Sequence, residues 1–162
     1  MNDKHLAPEE GVIKEYPKSS RWLKDKQVIG VGNLILTSER LVFLHQVVLS
    51  PRQTENIRKL SQTGKTNKIL DFALTLHKRN FQVPLSSVIS ANMGRYSLFP
   101  FPRPYLRIFY RGGSKQKVKT LSFMFTIPLL KGFFQLEITT VKGWARAINK
   151  AVRYKQSITV QR

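Results

Sequence analysis

The residue types that most often carry enzyme or metal chemistry are few and scattered in this 162-residue chain. The three histidines, His5, His45 and His77, form no pair at helical or zinc-ligand spacing. The absence of cysteine excludes disulfides and thiolate metal sites, and it fits a reducing compartment. The nine acidic residues show no paired-carboxylate pattern. We therefore expect a non-enzymatic protein with no metal site and no cofactor.

Two glycine-containing stretches come close to phosphate-binding motifs without meeting their requirements. Gly64-Lys65-Thr66 matches the end of a P-loop, but Lys59 stands where the first glycine is needed. In the segment that starts Gly30-Val31-Gly32, Ile35 occupies the third glycine position of a dinucleotide-binding loop. Neither stretch predicts nucleotide binding.

The net charge of +19 is the strongest compositional signal. After Asp71, Glu137 is the sole acidic residue, against sixteen lysines and arginines. The excess therefore belongs to the folded chain and not to a detachable tail. An anionic partner is expected, either lipid headgroups or nucleic acid. A basic composition that serves solubility alone is the alternative.

The positive charge concentrates in three segments that we predict to be loops or turns. They span residues 18–26, 52–68 and 111–119. Lysine offers phosphate a point charge and arginine offers it a planar fork of donors. Each segment by itself also fits an ordinary solvated surface. The predicted anion-binding residues are Lys18, Arg21, Lys24, Lys26, Arg52, Lys65, Arg111, Lys115, Lys117 and Lys119.

The hydrophobic pattern from Gly30 to Leu44 predicts a β-hairpin at the centre of the fold. Leu34 and Leu36 share one strand face, and Leu41 and Phe43 share one face of the next strand. The opposite faces are apolar too, so the hairpin is expected to lie inside a packed sheet.

The remaining pattern predicts further strands before and after this hairpin. Glycines at 112 and 113 predict the turn of a second hairpin. A helix is predicted near residues 69–79, with a strand from Asp71 to Leu76 as the alternative. We expect loops at 17–26, 52–68, 97–105 and 127–134. The predicted additional strands are 9–16, 81–83, 87–93, 105–110 and 118–125.

The C-terminal segment predicts an amphipathic helix. Its apolar residues recur at helical spacing, while its cations fall on another side. Thr139 or Thr140 is the expected N-cap. The predicted core-facing residues are Val141, Trp144, Ala145, Ile148, Ala151 and Val152.

Three stretches in the same order resemble the GRAM and bacterial PH-like domains. They are the central hairpin with Leu36-Thr37-Ser38 and Arg40-Leu41-Val42-Phe43, the strand entry Val83-Pro84-Leu85-Ser86-Ser87-Val88, and the helix bearing Trp144 and Ile148. The resemblance implies a mainly β, PH-like fold: a seven-stranded, bent antiparallel sandwich or barrel capped by one C-terminal helix. It also implies that the loops carrying the three basic segments gather at the open end.

We accordingly expect a flexible N-terminus at 1–8, one PH-like domain at 9–156 with a basic insertion at 50–80, and a flexible C-terminus at 157–162. The polar start of the chain predicts no signal peptide, and the apolar run from Leu121 to Leu136 falls short of a spanning helix. The expected location is cytoplasmic, at the inner membrane surface.

Three functions remain open from the sequence. The first is docking on anionic membrane lipid, including phosphoinositide-type headgroups, through the basic loops. The second is a protein-interaction or adaptor module with an acidic partner. The third is nucleic-acid binding, in which Phe99, Phe101 and Tyr105 offer stacking rings beside Arg103 and Arg107.

Overall fold

A computed structural model describes residues 10–25, 27–98, 101–114, 116–125 and 133–160. A short 3₁₀ turn at Leu85–Ser87 separates the fourth and fifth strands. The elements in chain order are β1 (Val12–Lys24), β2 (Gln27–Thr37), β3 (Arg40–His45), α1 (Pro51–Gln62), α2 (Thr66–Thr75), β4 (Phe81–Pro84), β5 (Val88–Leu98), β6 (Phe101–Gly112), β7 (Lys117–Phe125) and α3 (Phe133–Val160).

The seven strands form one antiparallel sheet in the order β4-β3-β2-β1-β7-β6-β5. Every neighbouring pair is antiparallel. The predicted mainly β architecture, with seven antiparallel strands and a C-terminal helix, is confirmed. The sheet is not closed, because β4 and β5 are its two edges.

The central hairpin supplies the middle of the main core, as predicted. Leu36 lies opposite Leu41 and Leu34 lies opposite Phe43, and all four side chains are fully buried. Burying a leucine or phenylalanine side chain is worth about 1.5–3 kcal/mol. This register therefore fixes which face of β2 and β3 points inward.

The opposite face of the hairpin is covered by the insertion between β3 and β4. Ile35 and Val42 pack against Leu70 of α2 in a second, smaller core. The helix predicted near 69–79 exists, although it begins earlier, at Thr66. The prediction of a loop at 52–68 is wrong, because Pro51–Gln62 forms α1. This helix begins with a capping box at Ser50.

Helix α3 closes the main core on the side of β5 and β6. All six residues predicted to face the core are buried there, and Trp144 stacks against Phe125 with 5.7 Å between ring centroids. The amide of Asn149 accepts a hydrogen bond from the Ala91 N–H and donates one to the Ala91 carbonyl, both at 2.8 Å. This contact satisfies backbone groups of β5, an edge strand. The helix runs to Val160, past the predicted start of the C-terminal tail at 157.

Two segments predicted as loops are strands instead. Strand β1 continues to Lys24, because after a register shift between Tyr16 and Ser20 it pairs again with β2, and it pairs with β7 at Ser20–Leu23. The described part of 97–105 belongs to the β5–β6 hairpin. Pro102 and Pro104 are tolerated in β6 because β7 pairs with β6 from Leu106 onward, so the missing N–H groups break no second ladder. Strand β1, at Val12–Lys24, therefore begins and ends later than the strand predicted at 9–16.

Other calls fall on residues that the structure does not describe. They are the N-terminal segment 1–8, Phe99 and Pro100 of the predicted 97–105 loop, and positions 127–132 of the predicted apolar loop. Phe133 already belongs to α3. No helix in the described parts of the chain is long and apolar enough to cross a membrane.

Candidate functional site

The first predicted basic segment lies in a strand and not in a loop. Arg21 sits opposite Val31 of β2 and Met124 of β7, and its side chain is half-buried. Lys24 is exposed at the end of β1, opposite Gln27. Lys18 lies in β1, with its side chain outside the described part, and Lys26 is not among the described residues.

The third basic segment forms the β6–β7 hairpin, as predicted. Arg111 and Lys117 are exposed on its two strands, and Lys119 pairs with Tyr110. Gly113 turns the chain with φ +79, a conformation that favours glycine. A Cβ at Gly113 would lie 3.6 Å from Nζ of Lys119, so this amine rests beside the turn. Lys115 lies outside the described residues.

The cations of the second basic segment do not all lie near the other two segments. Arg52 is exposed in the first turn of α1, shortly after the end of β3. Lys65 precedes α2 by one residue, and the neighbouring Asn67 carbonyl accepts a 3.4 Å hydrogen bond from Arg40. Because Arg40 starts β3 at the β2–β3 turn, Lys65 lies toward the far end of that hairpin.

The β1–β2 turn, the β6–β7 turn and the end of β3 lie at one end of the sheet. β1 runs antiparallel to β7, with Leu23 opposite Ser122, so β1 heads toward the start of β7. β3 runs antiparallel to β2, and its last residue, His45, lies opposite Gly32. We call this region the basic end and define it by Lys24, Arg79, Arg111, Lys117 and Lys119.

Arg79 joins the basic end through a contact that the sequence did not reveal. Its guanidinium donates a 2.8 Å hydrogen bond to the Ile29 carbonyl, 50 positions earlier in the chain. The next residue, Asn80, accepts a 2.7 Å hydrogen bond from the His45 N–H. These bonds return the chain to the sheet after α2. No local pattern marks Arg79, because its partner is a backbone group distant in sequence.

A groove of about 520 Å³ opens beside Arg79 at this end. The His45 and His77 rings stack next to it, with centroids 4.4 Å apart and planes inclined by 12°. Desolvation, followed by the nearby positive groups, lowers the pKa of His77. The groove is lined by Val28, Ile29, Gly30, Val31, His45, Gln46, Val47, Val48 and Arg79.

Apolar side chains are exposed among the cations of the basic end. Val118 is 62% exposed between Lys117 and Lys119, and Val28 is 46% exposed near the start of β2. Val48, after β3, is 99% exposed. In the described parts of the two turns and of 46–50, Asp25 is the one acidic residue. The arrangement can attract an anionic surface and also place small apolar groups against it.

Within the described residues, no cluster of three or more histidine, aspartate or glutamate side chains could hold a metal ion. An ion-pair network formed by Arg40 with Glu10 at 2.8 Å and with Asp71 at 2.6 Å joins the N-terminal segment to α2. Its place between elements marks it as structural.

Comparisons with known proteins add one structural likeness. No protein-family model and no curated protein sequence matches the chain, so the resemblance to GRAM domains stays a prediction. Among solved structures, the chain is similar to a Vps36 N-terminal PH domain. That likeness has 16% sequence identity and a TM-score of 0.44, and it covers 91% of this chain and 86% of that chain.

Proposed function

We propose that the chain is a non-enzymatic binding module that docks on anionic membrane surfaces through its basic end. The observation that carries the proposal is the placement of exposed Val28 and Val118 among the lysines of two adjacent turns. A single exposed valine is common on a protein surface and by itself indicates no function. Placed between cations at one end of a sheet, it adds apolar contact where the charges already draw the protein to lipid.

The electrostatic contribution follows from the number of charges at that end. Each lysine or arginine near an anionic leaflet contributes about 1 kcal/mol. Three lysines acting together would therefore strengthen binding by about 3 kcal/mol, roughly two orders of magnitude in affinity. The amine of Lys119 beside the Gly113 turn and the Arg111 guanidinium also suit a phosphorylated headgroup.

The test is sedimentation of the full chain with vesicles of neutral phosphatidylcholine, of phosphatidylcholine with phosphatidylglycerol, and of phosphatidylcholine with a phosphoinositide. The variant Lys24→Gln, Lys117→Gln, Lys119→Gln should lose about 100-fold in affinity for both anionic compositions. Stronger loss with the phosphoinositide would favour a headgroup site over a diffuse charge effect.

The matched control removes three lysines elsewhere on the surface. Lys68, Lys142 and Lys150 are exposed on α2 and α3. Their replacement by glutamine makes the same change in net charge, and a loss of less than about fivefold is expected because their distance from the lipid allows salt to screen them. Equal losses in the two triple variants would reject the basic end as the docking surface.

The second candidate function is an interaction module for an acidic protein segment. The groove beside Arg79 is the place where such a segment would bind. Its wall includes the Ile29 backbone, held by Arg79, and the exposed Val48. An extended chain beside β2 would meet both an apolar wall and a cation there. Copurification of one acidic partner that Arg79→Gln abolishes, with no vesicle binding at low salt, would favour this function over membrane docking.

A further inference from the structure

The outer face of β6 carries an alternating row of arginine and aromatic side chains. Leu106 and Ile108 point into the core and are fully buried, so the odd-numbered neighbours belong to the opposite face. We call this row the arginine–aromatic ladder. Its members are Arg103, Tyr105, Arg107, Phe109 and Arg111.

The centre of the ladder is ordered by cation–π contacts. The Arg107 guanidinium carbon lies 5.7 Å from the Tyr105 ring centroid and 5.8 Å from that of Phe109. Tyr105 lies opposite Gly94 of β5, and a Cβ at Gly94 would overlap its ring. The absence of a side chain at Gly94 therefore lets the tyrosine lie flat across the sheet. Arg107 therefore lies between the Tyr105 and Phe109 rings.

Arg107 has no described carboxylate to balance its charge. Its Nε is buried, and no described residue accepts a hydrogen bond from it. No aspartate or glutamate occurs in β5, β6 or β7. An arginine on three neighbouring strands without acidic residues is positioned to meet an anion supplied from outside the chain.

The strands on either side of the ladder present small polar groups. Asn92 of β5 and Ser122 of β7 lie opposite Arg107, while Ser90 and Thr120 lie opposite Phe109. Amides and hydroxyls can donate and accept hydrogen bonds, as the edges of nucleobases do. Partly exposed rings, cations and small polar groups thus occupy a single face.

We propose that this face binds single-stranded nucleic acid. Bases stack on Tyr105 and Phe109, while Arg107 and Arg111 meet backbone phosphates. Partly exposed rings on a sheet offer stacking to unpaired bases, whereas a duplex keeps its bases stacked on each other. The ladder shares Arg111 with the basic end, whereas Tyr105 and Phe109 lie outside it, so substitutions at these two rings distinguish this function from membrane docking.

Fluorescence anisotropy of the full chain with labelled 12-nucleotide oligo-dT and oligo-U, over a salt series, tests the proposal. Tyr105→Leu and Phe109→Leu should each weaken binding at least about fivefold, because a stacking ring is lost. The salt dependence should stay unchanged in both, because no charge is removed. Tyr154→Leu, an exposed tyrosine of α3, is the matched control and should bind like the parent chain.

Arg107→Gln should reduce the slope of log affinity against log salt by about 0.7, the value for one phosphate contact on a single strand. Arg146→Gln on the exposed side of α3 is its control and should leave the slope nearly unchanged. Thermal unfolding checks each variant. If Tyr105→Leu does not fold, Phe109→Leu and Arg107→Gln carry the test.

Three results would overturn the proposal. The first is wild-type affinity in both Phe109→Leu and Arg107→Gln. The second is equal or tighter binding of a duplex of the same length. The third is loss of phosphatidylglycerol vesicle binding in Phe109→Leu without loss of oligonucleotide binding, which would assign the face to lipid.

Discussion

Removing the Leu70 side chain should detach the helical insertion from the sheet. Leu70 is the one buried residue of α2 and is 5% exposed, while the described residues of α1 include no buried one. It packs on Ile35 and Val42 in the second core. Leucine-to-alanine changes in cores cost about 2–5 kcal/mol. Because Leu44 and Leu74 at the rim are only partly buried, we expect about 2–3 kcal/mol for Leu70→Ala.

Hydrogen exchange followed by mass spectrometry measures this effect segment by segment. Opening of 51–75 should become easier by the full amount, which corresponds to roughly 30-fold to 150-fold faster amide exchange. The main core does not contain Leu70, so β6 and α3 should keep their exchange rates. The matched control is Leu136→Ala in α3, where the side chain is 51% exposed and the expected change is within about 0.5 kcal/mol.

Two outcomes would refute the reasoning about the insertion. Unchanged exchange at 51–75 in Leu70→Ala would mean that the second core does not hold the helices. Equal acceleration throughout β6 and α3 would mean that the insertion and the main core unfold as one unit.

Two further predictions concern α3. Asn149→Ala should lower the free energy of unfolding in urea by about 1–3 kcal/mol, because both Ala91 backbone groups lose their partner. Asn92→Ala on the exposed side of β5 should lower it much less. Equal losses in the two variants would contradict a stabilising role for the Asn149–Ala91 hydrogen bonds. Burial raises the pKa of Glu137 despite the opposing effect of Arg103, so the folded chain holds that proton more tightly and stability falls as pH rises above the ordinary carboxyl pKa. Glu137→Gln should therefore raise Tm at pH 7 and lose this gain below about pH 4, and a Tm gain independent of pH would contradict the assignment.

The elements with strong periodicity could be predicted from the sequence. The two faces of the central hairpin and the core side of α3 depend on patterns within one element, and these are visible as repeats of two or of 3.6 residues. The extension of β1 to Lys24 was not predictable in this way. Charged and hydroxyl residues there resemble a loop, but pairing with β2 and β7 imposes an extended backbone.

The candidate site was predictable only in part, for a related reason. The β6–β7 turn is marked by adjacent glycines, so its cations could be placed on a hairpin. Lys65 was grouped with them because its segment resembled a loop, whereas helix formation carries it toward the far end. Arg79 depends on a tertiary contact, which charge counting does not reveal, whereas the outward position of Phe109 follows from the alternation along β6.

The central claim is that the basic end meets the membrane, and a label at Val118 tests it most directly. The chain has no cysteine, so Val118→Cys and Tyr154→Cys each give one labelling site. Tyr154 precedes Lys155, which pairs with Glu39 at the β2–β3 turn, away from the basic end. An environment-sensitive fluorophore at 118 should shift to the blue and brighten with phosphatidylglycerol vesicles, while the same fluorophore at 154 should not change. A shift at 154 with none at 118 would contradict the account.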